Sequence, residues 1–286
     1  MANSYTWTAA DGTSLDLSDQ SSGYIVTKDG TAGFFSPSYD LVADEYAGID
    51  GATVQAIRAA PAEPTLGLYV SASSPTEFRQ KLRGLVRTMR PKAGPGTLTV
   101  RNETGEARNL DCYCRGGMEG AEARFSAWVT AVLRFYAPDP WWYGDERSVD
   151  VGLGAGTAFF PIFPLTLAPS NVQGQFTIDL SDTDAPTYPT WTITGPGSTL
   201  VLTNTTTGRS IQVNTTLNPG DTMVITTSPG AQSVRRGDGT NLMGSVTGDP
   251  ALWPLIEDVN TVTATLTGAT TDSHISGVYR PRYAGI

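Results

Sequence analysis

Ala127 to Gly144 reads AWVTAVLRFYAPDPWWYG, and its two halves follow different rules. In the first half, Val129, Val132, Leu133, Phe135 and Tyr136 make an apolar run rich in β-branched and aromatic residues, which reads as a buried strand. In the second half Pro138 and Pro140 bracket Asp139 ahead of Trp141, Trp142 and Tyr143. Proline cannot donate to a central ladder, so the strand has to end at Pro138. The stretch lies near the midpoint of the 286 residues, where composition also changes. It is the predicted seam between two domains, with Pro138, Asp139, Pro140, Trp141, Trp142 and Tyr143 as the structural junction.

A chain of this length exceeds what one core comfortably serves, so two domains are expected. A hydrophobic content of 39% with 16% charged residues describes an ordered globular protein. The net charge of −9 argues against a face built on phosphate contacts, so no specific nucleic-acid binding is expected. Solubility alone accounts for the same charge. There is no run of about 18 apolar residues, and membrane insertion is not expected. The N-terminal MANSYTWTAADGTS has neither a basic start nor an apolar core, so it does not read as a signal peptide. Cys112 and Cys114 sit two apart on a predicted strand, a spacing poor for a bridge and too sparse for structural zinc. They read as reduced thiols.

Outward from the seam, the first half offers short strands at Tyr24–Thr27, Ala52–Arg58 and Leu66–Val70. One helix stands out near 75–90. Ser74 suits the N-cap, Pro75 the first turn, and Glu77 completes a capping box. Phe78, Leu82, Leu85, Val86 and Met89 give an apolar face, and Pro91 stops the helix. Arg79, Lys81, Arg83, Arg87 and Arg90 occupy the other face, which reads as solvated or as a protein contact. A hairpin follows, Thr97–Val100 returning near Leu110–Cys114, and then a glycine-rich turn from Gly116 to Gly120. This is an α+β domain with a mostly antiparallel sheet.

Residues 144–170 read as a transitional segment, with glycines at 152, 154 and 156 and the proline-punctuated Phe159-Phe160-Pro161-Ile162-Phe163-Pro164, suited to an edge or an interface. From 171 to 286 alternating apolar positions such as Phe176, Ile178 and Leu180, then Trp191 and Ile193, mark seven or eight short strands separated by turns. That pattern predicts a β-sandwich or jelly roll.

Catalytic chemistry is thinly represented. His274 is the one histidine, and no nucleophile-elbow, zincin, Walker A or dinucleotide motif occurs. No catalytic, cofactor-binding or metal-binding residue is assigned. Trp141, Trp142, Tyr143, Trp253 and Tyr283 admit two readings, a stacking platform for sugar or packing under loops and at the junction. Asn102, Asn204 and Asn214 begin glycosylation sequons that, without a signal peptide, read as accidental.

The strand ending FYAPDPWWYG, followed by FFPIFP and DAPTYPTWTITGPG (Asp184 to Gly197), resembles the distal tail proteins of long-tailed, non-contractile bacteriophages. So do LTNTTTGRSIQVNTTLNPGDTMVI (Leu202 to Ile225), LWPLIEDVNTVTATL (Leu252 to Leu266) and the closing VYRPRY (Val278 to Tyr283). The resemblance implies a mainly β protein, with a ring-forming N-terminal α+β domain over 1–143 and a galectin-like C-terminal sandwich. It implies a non-enzymatic virion protein, usually present as a ring of six copies at the tail tip and assembled in the bacterial host cytoplasm. Its partners would be the tail tube protein, the tail-tip hub protein and a fibre or receptor-binding protein. Arg79, Arg83 and Arg87 are then a candidate half of the ring interface. The rival is a carbohydrate-binding module acting in host-surface recognition.

Overall fold

The strand at the centre of the seam runs Trp128–Tyr136, and only alternate side chains enter a core. Leu133 and Phe135 are fully buried, whereas Trp128 and Val132 are exposed. The apolar run therefore does not make a strand buried on both faces. Val132 and Leu133 are sequence neighbours, and successive strand side chains point to opposite faces. The ladder ends where the prolines require: Ala137 exchanges backbone hydrogen bonds with Ala62 at 2.8 and 3.0 Å, and Pro138 follows.

The computed structural model describes residues 3–119, 127–152, 171–248 and 252–286. The Phe159–Pro164 stretch, most of the 144–170 segment and Gly120 lie outside these. The chain divides into two compact units, Met1–Gly144 with Tyr283–Ile286, and Asp145–Arg282.

The first unit is organised by one antiparallel sheet. Its strands lie in the order Ser14–Asp16, Ser4–Thr8, Gly96–Arg101, Ala107–Gly116, Trp128–Tyr136, Thr65–Ser71, Tyr24–Ala32. Trp142–Tyr143, expected in a turn, is instead a short strand that sets Tyr143 beside Asn109. The helix spans Pro75–Thr88, with Ser74 accepting the Glu77 N–H at 3.3 Å. The return bond of the box goes one residue further back, from the Ser73 N–H to the Glu77 carboxylate at 3.1 Å. Phe78, Leu85 and Met89 are buried, whereas Val86 is 52% exposed and drops out of the predicted apolar face. It lies one residue, about 100° of helical turn, from Leu85.

The core beneath joins helix and sheet through large rings. Trp7 packs against Phe135 with centroids 5.5 Å apart, and its indole N–H donates to the Thr88 carbonyl at 3.2 Å. Phe34 packs on Trp142 at 5.6 Å. The last four residues belong here and not to the sandwich that the sequence reading carried through 286: Tyr283 is buried beneath the Arg108 guanidinium, 3.6 Å above its ring, and the Ile286 N–H donates to the Phe34 carbonyl at 3.1 Å.

The second unit contains ten described strands in two five-stranded antiparallel sheets. Trp191, Ile193 and Ile225 of one sheet and Leu202, Ile211 and Val262 of the other share a single core, which makes it a sandwich. The count exceeds seven or eight because Arg147–Gly152, Ser233–Arg236 and Val246–Gly248 are also strands. The first of these lies in the expected transitional segment, yet pairs with His274–Tyr279 along its whole length. Gly277 sits opposite Trp191 across the next pair, and a Cβ there would lie 2.3 Å from the indole. Gly277→Ala is therefore expected to destabilise this unit by about 1–3 kcal/mol, because a fully buried ring cannot yield space freely. Urea unfolding followed by tryptophan fluorescence measures it.

Acid sensitivity follows from Asp19, which caps a short 3-10 turn. Hydrogen bonds from the Ser21 and Ser22 hydroxyls and the Ser21 N–H hold its pKa at about 2, against an ordinary 3.8. The Ser73 hydroxyl and Lys81 lower Glu77 in the same direction. Groups depressed on folding stabilise the native state above their unfolded pKa, and that stability is lost as pH falls through the folded value. The melting temperature should therefore hold steady down to about pH 4 and drop towards pH 2, with a shallower drop in Asp19→Asn.

Candidate functional site

Tyr39–Glu45 and Ala52–Ala59 form a separate two-stranded antiparallel ribbon. The sequence reading found only the second strand. In Tyr39-Asp40-Leu41-Val42-Ala43-Asp44-Glu45 the apolar Val42 interrupts the polar–apolar alternation, while the register shift places its extra residue, Gln55, on the partner strand. The register sets Tyr39 opposite Ala59, Leu41 opposite Ile57 and Ala43 opposite Val54, so these six share one face. The other face carries Asp40 opposite Arg58, Val42 opposite Ala56 and Asp44 opposite Thr53. The ribbon is amphipathic, yet its apolar face is uncovered: Leu41 and Ile57 are each 64% exposed. Tyr46 and Ile49 continue the exposed apolar surface around the turn.

A second distinctive surface lies on the helix. Arg79, Arg83 and Arg87 recur every four residues, which places them on one face, and all three are exposed. None makes an ion pair among the described residues. Lys81, on the neighbouring flank, is held by Glu77 at 3.2 Å and donates to the Ser71 carbonyl.

The predicted junction residues are distributed over the surface and core of the first unit. Trp142 and Pro140 are buried, Asp139, Trp141 and Tyr143 are partly buried, and Pro138 is exposed. Asp139 braces the turn by accepting from the Tyr143 hydroxyl and the Trp141 N–H. The five aromatics weighed as a sugar platform do not form an exposed one. Trp142 packs on Phe34, Tyr283 lies under Arg108, and Trp253 is wholly buried beside Trp191 at 6.3 Å.

Other reactive groups are occupied. Cys112 and Cys114 are buried free thiols, and desolvation pushes both well above the usual thiol range, so they stay protonated. His274 opens a strand, 3.3 Å from the Thr194 hydroxyl. A shallow recess by Glu63, Thr65, Arg115, Arg134 and Phe135 contains two guanidiniums, but Arg115 is paired with Glu63 at 2.8 Å and Arg134 with Glu119 at 3.1 Å. No group of three potential metal ligands occurs among the described residues, and no helix is long and apolar enough to cross a membrane.

Comparison with known proteins turns on the sandwich. Residues 182–283 match the family described as siphovirus-type tail component, C-terminal domain. The crystal structure of SPP1 Dit, described as a paradigm of the hub adsorption apparatus in phages infecting Gram-positive bacteria, superposes with a TM-score of 0.69 at 15% identity, covering 99% of this chain and 100% of that one. A chain of the phage P2 baseplate in its activated conformation with Ca gives 0.51 at 13% identity, covering 99% and 98%. The corresponding baseplate with Sr gives 0.52 at 12% identity, with full coverage of both chains. No curated protein matches the sequence. The sandwich is thus similar to the C-terminal domain of siphovirus-type tail components, and the whole chain shares the fold of SPP1 Dit.

Within the sandwich, Asn204, noted above only as the start of a sequon, and Asn260 fix the loops. Asn204 and Asn260 are wholly buried, and the Asn204 amide donates to Asn260 Oδ1 at 2.9 Å. Asn260 Nδ2 donates to the carbonyls of Ile256 and Asp258 at 2.9 and 2.8 Å, while its Oδ1 also accepts from the Ile256 N–H. Asn204 Oδ1 accepts the Thr206 N–H at 3.0 Å. A sequon asparagine committed in this way has no amide free for a glycan. Their places in LTNTTTG and IEDVN were the only available signal, since a buried amide looks like any loop asparagine in sequence. Asn260→Ala leaves several buried polar groups without partners and should cost about 1–3 kcal/mol. A double-mutant cycle with Asn204→Ala, read by urea unfolding, should show strong coupling.

Proposed function

We propose that this chain forms a ring, of six copies, at the tip of a long non-contractile phage tail, joining the tail tube to the tip hub and the receptor-binding apparatus. The first unit builds the ring and continues the tube. The sandwich serves as an outer module, and Pro138–Tyr143 stiffens the point where the chain leaves the first unit. Assembly takes place in the host cytoplasm, which suits two buried, unbridged cysteines. The role is structural and not catalytic.

The observation that carries this reading is where the exposed apolar surface lies. Of the twelve large hydrophobic residues exposed among those described, eleven belong to the first unit: Phe35, Tyr39, Leu41, Val42, Tyr46, Ile49, Val54, Ile57, Val86, Trp128 and Val132. The sandwich contributes Val259. Surfaces of that kind mark protein–protein contact. A ring further requires two different patches on each subunit, since its interface is heterologous. The tail-component match and the whole-chain likeness to SPP1 Dit support the same reading.

Native mass spectrometry across the micromolar range should give a closed oligomer at six times 30.3 kDa, and negative-stain images should show rings. A chain that remains monomeric throughout that range, and on mixing with the tube and hub proteins, would overturn the proposal.

A further inference from the structure

We propose that the ribbon spanning residues 39–59 of one copy docks on the arginine face of the helix Pro75–Thr88 of the next copy. This rests on the ring reading and names its interface.

The ribbon cannot be a finished piece of structure by itself. It has two strands, pairs with no third among the described residues, and every one of its residues from Tyr39 to Arg58 is exposed. An isolated two-stranded hairpin is marginal in water and needs a further strand or a packed face. This one keeps Leu41, Ile57, Tyr39 and Val54 together on one uncovered face.

Charge selects what covers it. Residues 39–59 hold Asp40, Asp44, Glu45 and Asp50 against Arg58 alone. Arg58 is paired with Asp40 at 3.2 Å, which leaves Asp44, Glu45 and Asp50 without an ion pair among the described residues. The helix Pro75–Thr88 is the converse, with Arg79, Lys81, Arg83 and Arg87 against Glu77. Its three exposed arginines form a stripe with exposed Val86 on one side and, on the other, Gly84, over which a Cβ would meet nothing within 4 Å. Arginine stems can lie along apolar surface while their guanidiniums reach carboxylates, and they stack well on tyrosine rings such as Tyr39 and Tyr46. The two patches thus match in both polarity and charge.

The occupant follows from the same arithmetic. Ribbon against ribbon sets like charges together, as does helix against helix, so two-fold pairing through either patch is disfavoured. Ribbon against helix is attractive and heterologous, and it leaves each copy with one patch still free for the following copy. That is the arrangement a ring needs.

The test is charge reversal with exchange, on the full chain. Asp44→Arg with Glu45→Arg, and separately Arg83→Glu with Arg87→Glu, should each raise the concentration of half-assembly at least roughly tenfold by analytical ultracentrifugation. Combining all four substitutions should recover most of the loss. Unchanged circular dichroism and melting temperature would show that the fold is retained, since all four positions are exposed. The wild type should also assemble less readily as salt rises. If both reversed variants assemble like the wild type, the docking is wrong although the ring stands. If each reversal abolishes assembly and the combination restores nothing, the two patches do not meet. A wild type that never assembles overturns the ring reading and this one with it.

Discussion

A β-strand can send only every second side chain to one core, and this chain has more apolar side chains than its cores have room to receive. The limit is visible at Trp128–Tyr136, where Leu133 and Phe135 are swallowed while Trp128 and Val132 stay outside. It recurs on the helix, where Phe78 and Leu85 are buried and Val86 is not. It is most pronounced in the ribbon of residues 39–59, which has no core of its own. In the sandwich the same rule has a different outcome, because two facing sheets close over one another's apolar faces. One unit is complete, and the other is left with apolar surface for contact.

Within the first unit, large rings and chain ends do the fixing. Trp7 reaches from the first strand both to Phe135 and, through its N–H, to the last turn of the helix. Trp142, just before the chain departs, is clamped by Phe34, and Ile286, where the chain ends after its return, bonds to the backbone of that same residue. Departure and return are thus secured to one place in one core. A residue such as Gly285 belongs to this arrangement, since a Cβ there would meet the Phe34 carbonyl at 2.6 Å.

Sequence makes legible whatever is local and periodic. The helix is spelled out by Ser74, Pro75 and Glu77 and by its apolar spacing, and Pro138 ends the central strand as its missing donor demands. The sandwich strands with clean alternation, such as Thr190–Thr194, are equally plain. What escapes is decided by pairing at a distance. Arg147–Gly152 is a strand because His274–Tyr279 lies beside it, and Tyr283–Ile286 joins the first unit because Phe34 and Arg108 wait there. The Asn204–Asn260 bond joins residues 56 positions apart, and nothing in either triplet announces it. For the candidate interface, the basic helix face was readable from its spacing. Its apolar, acidic counterpart was not, because Val42 interrupts the polar–apolar alternation of Tyr39–Glu45.

A contact of this kind has an energetic character that suits ring assembly. Covering side chains such as Leu41 and Ile57, exposed to 64%, is worth about 1–2 kcal/mol each, on the usual scale of apolar burial. Joining two free chains costs roughly 4–15 kcal/mol in lost freedom of motion, so one ribbon-to-helix contact holds two copies only weakly. A closed ring changes the balance. Its last contact forms between ends already held close, so its attraction is not opposed by a fresh loss of translational freedom. Open intermediates are then sparse and closed rings dominate, although each interface is modest. Modest interfaces also let misjoined chains separate and try again, which a small uncovered ribbon allows and an extensive apolar face would not.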